Sequence, residues 1–142
     1  MIMVKFSSEK INPNNEGILS AKGKCGSIHN DLQAYTDFIL PSLKKIIGNL
    51  DLSSIIDFTI EEDNLAIFMT DLEYAINNII EKRKTQHDFN TKGTLKKILG
   101  QNIRLNIREL NADDWTISIL DSIYKLALEC LNEKKPLYIF IS

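Results

Sequence analysis

The spacing of apolar residues is clearest in the last third of the chain, Asn111 to Ser142. On a helical wheel of about 100° per residue, the apolar side chains from Trp115 to Leu131 fill one arc of roughly 220°. A helix that rests on a single surface needs a stripe only somewhat over ~100° wide. The pattern therefore predicts a long helix that is covered on two sides, by a sheet and by a second helix.

Residues typical of helix ends and of a buried strand border this helix. Asn111 or Asp113 can cap the first turn, and a Lys-Lys-Pro sequence follows the last one. Residues 137–141 then form a strand that is apolar on both faces. If no second helix covers the wide arc, a homodimer or partner contact is expected at its outer part, near Ile117, Tyr124 and Leu128.

The remaining elements are shorter. Strands are predicted at Ile2–Ser7, Ile18–Lys22, Ser54–Ile60, Leu65–Met69 and Gln101–Leu110. A first helix is predicted from the capping residue Asn30 to a stop at Gly48 and Asn49, and a second at Asp71–Lys84. The EEDN sequence at 61–64 predicts a hairpin with an acidic tip, and Thr70 with Glu73 fits a capping box that opens the second helix. Leu95–Leu99 is predicted to be a short helical turn.

The order of these elements predicts an α+β fold. We expect a single two-layer domain over residues 1–142, with a mostly antiparallel sheet of about five to six strands and three main helices. The early strands come as hairpins, which favours antiparallel pairing. The alternative is a three-layer α/β fold, which the doubly apolar last strand and the broad helical arc would suit.

Composition indicates an ordinary globular protein, with 44% hydrophobic and 25% charged residues. The formal charge of −2 is unevenly spread, because residues 82–108 carry eight basic side chains and a single acid, Asp88, inside an otherwise acidic chain. Two cysteines give no disulfide framework, and no apolar run approaches the length of a membrane span. We therefore expect a cytoplasmic protein with reduced thiols.

The most site-like local motif is KGKCGS at 22–27, between a predicted strand and a predicted helix. Lys22 and Lys24, with backbone N–H groups at Gly26 and Ser27, could hold a phosphate or carboxylate. The spacing differs from that of the P-loop and of the dinucleotide fingerprint. A strand-to-helix turn that needs glycine for its backbone angles is the structural alternative.

Cysteine and histidine residues give little indication of chemistry. Cys25 and His29 are four residues apart beside this loop, but no third residue is identified that would orient them as a nucleophile and base. Together with His87 and Cys130, they show no zinc-type spacing. We expect no metal and no cofactor.

An acidic cluster next to an outward-facing aromatic residue is the strongest indication of a partner surface. The acidic cluster comprises Glu61, Glu62, Asp63, Asp71 and Glu73, and the aromatic residue is Tyr74. Together they are the predicted partner-binding residues. Carboxylates attract a basic partner, and an exposed aromatic ring anchors it. Phe38 is a second aromatic predicted to point outward. A solvated hairpin tip is the alternative, and calcium binding is disfavoured because the alternating oxygen ligands and central glycine are absent.

The basic segment 82–108 supports a weaker hypothesis. Its cations could follow a phosphate backbone, with Arg104 and Arg108 on the outer face of the alternating strand. A sequence pI near 5.7 is low for a dedicated nucleic-acid binder. A solvated face, or one that meets a second subunit, is the alternative.

These observations lead to three hypotheses of function. The first is a non-catalytic protein-binding module, of the general character of bacterial immunity proteins and antitoxins that neutralise a basic, nuclease-like toxin by binding it. The second is a small enzyme or ligand-binding domain for an anionic metabolite, using the loop at Gly23–Gly26. The third is a nucleic-acid accessory protein that uses residues 82–108.

Overall fold

The computed structural model of the chain describes residues 4–8, 35–48, 56–107 and 111–141. In these residues the elements are β1 (Val4–Ser7), α1 (Leu40–Ile47), β2 (Ile56–Ile60), α2 (Glu62–Lys84), β3 (Thr94–Ile98), β4 (Gln101–Leu105), α3 (Ala112–Asn132) and β5 (Leu137–Ile141). A π-helical turn, Tyr35–Ile39, leads directly into α1. The α+β class is confirmed, but the predicted single sheet of five to six strands is wrong. The five described strands form two antiparallel sheets, of three strands and of two.

The C-terminal strand is the centre of the three-stranded sheet. Its order is β1–β5–β2, and β5 is antiparallel to both neighbours. Leu137 and Ile139 of β5 are fully buried. Phe6 of β1 is paired with Ile139, and its ring stacks on that of Phe68 in α2 with centroids 6.3 Å apart. Helix α2 therefore packs on the face of the sheet that carries Phe6, Leu137 and Ile139. This sheet is built from strands far apart in sequence, whereas the predicted Ile18–Lys22 strand lies outside the described residues.

One helix occupies the segment where a hairpin and a separate helix were expected. Residues 65–69 belong to α2, which runs unbroken for 23 residues, so the predicted hairpin with an acidic tip is wrong. The predicted capping box is wrong as well, because the Thr70 hydroxyl donates to the Ala66 carbonyl oxygen at 2.9 Å, in mid-helix. Leu65, Phe68 and Leu72 are buried at a spacing of three and four residues, which is the helical period.

The long third helix is confirmed, and it is covered on more than one side. Asn111 caps α3 by accepting a hydrogen bond from the Asp114 N–H at 3.0 Å. α2 packs along α3, and β4 and β5 also contact it. Ile117 is fully buried, while Leu128 is 37% exposed. A dimer contact was expected only if no second helix covered the wide arc. Because α2 covers it and Ile117 is buried, Ile117 is not available for such a contact.

The predicted helical turn at 95–99 is wrong, because β3 and β4 form a hairpin there. Leu99 and Gly100 are its two turn residues, with φ of 48° and 80°, as a type I′ turn requires. Gly93 begins the hairpin with φ of 103°, and a Cβ there would stand 2.1 Å from the Leu105 carbonyl oxygen. The backbone can approach this closely only because residue 93 is glycine.

This hairpin lies on the polar side of α3. Lys96 contacts the Ser118 hydroxyl at 3.4 Å, and the Lys125 ammonium donates to the Lys97 carbonyl oxygen at 3.3 Å. Asp121 is buried, and its Oδ2 pairs with Lys125 at 2.8 Å. The polar side of α3 is thus partly covered by a second sheet.

Candidate functional site

The predicted partner-binding residues all belong to α2 or to the residue that precedes it. On a wheel of about 100° per residue, Asp63, Ile67 and Tyr74 lie within roughly 40° of one another, opposite the buried stripe. Ile67 is 41% exposed and Tyr74 is 71% exposed. The two apolar side chains are seven residues apart, so they stand two turns from each other on the same outward face. The prediction that Tyr74 points away from the core is confirmed.

In the structure, five of the six predicted partner-binding residues line two separate clefts, and Glu73 lines neither. Asp71 and Tyr74 line a cleft between α1 and α2. The three acids at the start of α2 line a second cleft, beside the end of α3. Over the 12 residues from Glu62 to Tyr74, α2 rises about 18 Å. A partner that contacts both groups must therefore follow the helix.

The cleft between α1 and α2 has a volume of about 340 Å³. It is lined by Asp37, Phe38, Pro41, Ser42, Lys45, Asp71, Tyr74, Ala75 and Asn78. Both aromatic residues predicted to face outward therefore line one site, although Phe38 is half-buried and also packs against the core. Sequence reasoning identified each ring but not their common cleft.

Asp71 fixes α1 against α2. Its Oδ2 accepts a hydrogen bond from the Ser42 hydroxyl at 2.6 Å, and its Oδ1 pairs with the Lys45 ammonium at 3.0 Å. Ser42 and Lys45, one turn apart on α1, therefore bind the same carboxylate of α2. Asp71 thus holds the walls of the cleft together, and its charge is balanced within the chain.

The second cleft has a volume of about 470 Å³ and carries both signs of charge. Glu61, Glu62 and Asp63 line it together with Lys134 and Lys135. Glu62 has φ of 45°, a left-handed conformation that is uncommon for a non-glycine residue. The acids stand at the N-terminus of α2, where the helix dipole favours negative charge. Within the described residues, none of the three forms an ion pair.

Glu73 faces another direction, toward α3. Burial raises the pKa of the Tyr124 phenol on α3, and the negative charges of Glu73 and Asp121 raise it further. The Glu73 carboxylate therefore lies close enough to α3 for its field to act there. It adds negative potential to α2 but does not line either cleft.

The first three cations of the basic segment are paired with acids within the fold. Lys82 pairs with Asp113 at 3.1 Å, and Lys84 pairs with Glu81 at 2.9 Å. Arg83, between them, is fully buried. The expectation that these three cations belong to one solvated basic face is wrong for Arg83, because α2 turns it toward the core.

Arg83 joins four parts of the chain. Its Nε and Nη2 donate to Asp114 at 2.8 and 3.3 Å, and Nη1 donates to Asp88 at 2.9 Å. Its guanidinium carbon lies 5.9 Å from the centroid of the Phe89 ring. Asp114 also accepts the Asn106 N–H at 2.8 Å. The end of α2, the following loop, the residue after β4 and the start of α3 are thereby fixed to one another.

The ionisation of this cluster reflects its hydrogen bonds. Burial alone would lower the pKa of Arg83, but its hydrogen bonds to Asp114 and Asp88 outweigh that effect and raise it. The hydrogen bond from Arg83 lowers the pKa of the Asp88 carboxyl in turn, against the opposing effect of burial. Arg83 therefore stays charged beside its acidic partners.

Two outward cations of the segment, Lys97 and Arg104, are on the hairpin. The register places Leu95 opposite Arg104 and Lys97 opposite Asn102, so these four side chains share the outer face. Leu95 is 55% exposed, and the Arg104 N–H is bound by the Asn90 side chain at 2.6 Å. The prediction that Arg104 faces outward on its strand is confirmed, whereas Arg108 lies outside the described residues.

The predicted anion-binding loop also lies outside the described residues. This applies to Lys22, Lys24, Gly26, Ser27, Cys25 and His29. In the part of the chain that the structure describes, no group of three or more His, Cys, Asp or Glu side chains could hold a metal ion. Cys130 is buried, and burial raises the pKa of its thiol. No helix among the same residues is long and apolar enough to cross a membrane.

Sequence reasoning missed Ile67 and the Arg83–Asp114 pair. The short apolar run LAIFM predicts a strand at Ile67, not a helix. The indication for Arg83 was present, because it follows Ile76, Ile79 and Ile80 at spacings of seven, four and three residues. A basic residue at that phase of a buried stripe needs a buried acid, and Asp114 supplies it.

Comparison of the chain with protein-family models, with curated proteins and with solved structures finds no match. The proposals below therefore depend on the geometry of these residues alone.

Proposed function

We propose that this chain is a non-catalytic protein-binding module whose partner presents a basic surface, and that α2 with α1 makes the contact. The exposed pair Ile67 and Tyr74 is the observation that carries this proposal. Tyr74 has the largest exposed fraction among the large apolar side chains of the described residues. Exposed aromatic residues at the centre of a contact supply much of the affinity of protein interfaces.

The charge distribution supports a basic partner. Glu61, Glu62, Asp63 and Glu73 form no ion pairs with described residues, whereas Lys45, Lys82, Arg83 and Lys84 are neutralised within the chain. The N-terminal half of α2 therefore presents net negative charge beside its apolar pair. Such a field attracts a basic partner and speeds its association.

The particular form that we favour is neutralisation of a basic, nuclease-like toxin by occupation of its cleft. A surface that cleaves nucleic acid must attract phosphates, so a helix with carboxylates and an aromatic anchor can compete for it. This form of the proposal, an immunity or antitoxin function, predicts that binding abolishes the partner's activity in a stoichiometric ratio.

A capture experiment with matched variants tests the proposal. Immobilised wild-type chain is compared with Ile67→Ala/Tyr74→Ala, and with Leu95→Ala as the control for an exposed apolar residue on the hairpin. A specific partner is retained by the wild type and by Leu95→Ala and is lost by the double variant. A protein that all three retain equally is not bound through α2, and that result rejects the surface.

Affinity and rate constants for the purified partner then separate the two contributions. Tyr74→Ala should weaken binding about 30-fold, which corresponds to a hot-spot contribution of about 2 kcal/mol. Glu61→Gln/Glu62→Gln should mainly slow association and reduce its dependence on salt. The melting temperature should stay nearly unchanged in both, since these side chains are exposed.

A further inference from the structure

We propose that the outer edge of β3 binds an extended acidic segment of another protein, which adds a third strand to the β3–β4 hairpin. This contact uses residues other than those of the proposed surface on α2. β3 pairs with β4 along one edge, and no described strand pairs with its other edge. α3 packs against β4, whereas the main contacts of β3 with described elements are those with β4. β3 is therefore the outer strand of the hairpin.

The turn determines which main-chain groups point to this edge. In a hairpin with a two-residue turn, the pair that closes the turn is hydrogen-bonded, and bonded and non-bonded pairs alternate from there. Leu95 and Lys97 fall at non-bonded positions, so their N–H and C=O groups point away from β4. The Arg104 N–H, opposite Leu95, accordingly donates to the Asn90 side chain and not to β3.

Three of these four main-chain groups form no hydrogen bond with described residues. The fourth, the Lys97 carbonyl oxygen, accepts a hydrogen bond from the Lys125 ammonium at 3.3 Å. The Lys125 side chain is 57% exposed and also pairs with Asp121. Main-chain groups of this kind at a sheet edge bind an extended segment as an added strand.

The charge of the hairpin selects the occupant. Residues 92–105 carry four basic side chains and no acid. Lys92, Lys97 and Arg104 form no ion pair with described residues, unlike the cations at the end of α2. Lysines on an edge strand oppose pairing with a second copy of the same strand, because like charges would meet. An acid opposite Lys97 replaces this repulsion by attraction.

An exposed apolar side chain defines the residue beside the acid. Leu95 is 55% exposed and shares the outer face of β3 with Lys97, two residues along the strand. Cross-strand neighbours on one face have Cβ atoms about 4.5–5.5 Å apart, so they cover each other. The segment that fits therefore carries an acid opposite Lys97 and, two positions away, an apolar residue opposite Leu95. A nucleic acid would neutralise the cations but offers no strand to pair with the edge.

A peptide of this pattern tests the proposal on the whole chain. Acetyl-TETVTET-amide reads the same in both directions, so a parallel or an antiparallel strand places valine opposite Leu95 and glutamate opposite Lys97. We expect saturable NMR shifts and slower hydrogen exchange at the amides of these two residues. Acetyl-TQTVTQT-amide, which lacks the charge, should bind about two- to fivefold more weakly. The acidic peptide with N-methylated amides keeps the charge but cannot pair as a strand, and should give no such protection.

Matched variants separate strand pairing from simple attraction of anions. Leu95→Pro removes a donor at the edge, and because the Leu95 N–H points away from β4, proline leaves the hairpin ladder intact. It should abolish the protection at Lys97, whereas Leu95→Ala keeps the N–H and should retain it with weaker binding. Lys97→Gln should make the acidic and the glutamine peptide bind alike. The amide spectra of α2 and α3 report whether each variant is folded.

Three results would overturn the proposal. Equal binding of the N-methylated and the unmodified acidic peptide would show that the hairpin attracts anions without pairing. Hairpin shifts with a short DNA duplex and none with the peptide would assign the cations to nucleic acid. Protection confined to β4 or to α2 would place the contact elsewhere. If Leu95→Pro does not fold, the N-methylated peptide still decides the question. The surface on α2 is tested separately, by the capture experiment.

Discussion

The buried ion pair between Arg83 and Asp114 is expected to be the most sensitive polar contact in the described fold. Asp114→Asn keeps the size of the side chain but removes its charge. The amide would leave the guanidinium with only the half-buried Asp88 as an acidic partner, and one of the two Arg83 donors would face an NH₂ group. The Asn106 N–H also donates to an Asp114 oxygen, so a second donor is affected.

The magnitude follows from burial. The side chains of Arg83 and Asp114 are 0% and 1% exposed. Removing one partner of a buried pair costs about 3–5 kcal/mol, because the other charge stays away from water without compensation. The neighbouring pair Lys82–Asp113 joins the same two helix ends at 3.1 Å, but its side chains are 64% and 29% exposed. Asp113→Asn should therefore cost no more than about 1 kcal/mol.

Urea unfolding of the two variants at neutral pH measures this difference. The free energy of unfolding should fall several times further for Asp114→Asn than for Asp113→Asn, with similar slopes against urea. Arg83→Met/Asp114→Leu should recover much of the loss, since neither charge then remains buried. Equal effects of the two Asp→Asn changes would refute the assignment of Arg83 and Asp114 as a buried pair.

Three further predictions concern ionisation and backbone geometry. The folded-state pKa of Asp88 is lowered, so its ionised carboxylate stabilises the fold above about pH 4. This stabilisation is lost as the pH falls through the folded pKa. Asp88→Asn should therefore make the free energy of unfolding less dependent on pH in the acid range. In a Cys25→Ser background, Cys130 should react with a thiol reagent at pH 8 only after unfolding, because burial raises its pKa and blocks access; rapid reaction of the folded chain would contradict this. Gly100→Ala, at a positive φ with open space around it, should cost about 1–2 kcal/mol in thermal or urea unfolding, and Gly93→Ala should cost at least twice as much; equal costs would show that the hairpin lacks this close contact.

Short-range patterns predicted the helices better than the strands. The buried stripe of α2 and its exposed Tyr74 follow from the period of 3.6 residues, and both are evident in the sequence of residues 72–80. The same period continues back through Phe68 and Leu65. A hairpin is predicted there because EEDN resembles a turn and Thr70 resembles a cap. Both cues are local, and the continuous helix that packs on the sheet outweighs them.

The candidate site shows the same limit. The aromatic character of Phe38 and Tyr74 and the acids along α2 are evident from the sequence. Their grouping depends on the packing of α1 on α2, where Asp71 binds Ser42 and Lys45. The residues that meet at Asp71 are separated from it by 26 and 29 positions in the sequence. No local periodicity specifies such a pairing.

Sequence alone determined the α+β class, the length and capping of α3, and the outward direction of Tyr74, because each depends on neighbours within a few turns of the chain. Only the tertiary structure decided that β5 pairs with both β1 and β2, and that Arg83 is enclosed. It also decided that the acidic cluster separates into two clefts and a residue facing α3. These features bring together groups tens of residues apart, and their free energy depends on burial that the order of residues does not display. The outward helix face with Ile67 and Tyr74 has both origins, since its period is local but its exposure is set by what packs on the other side.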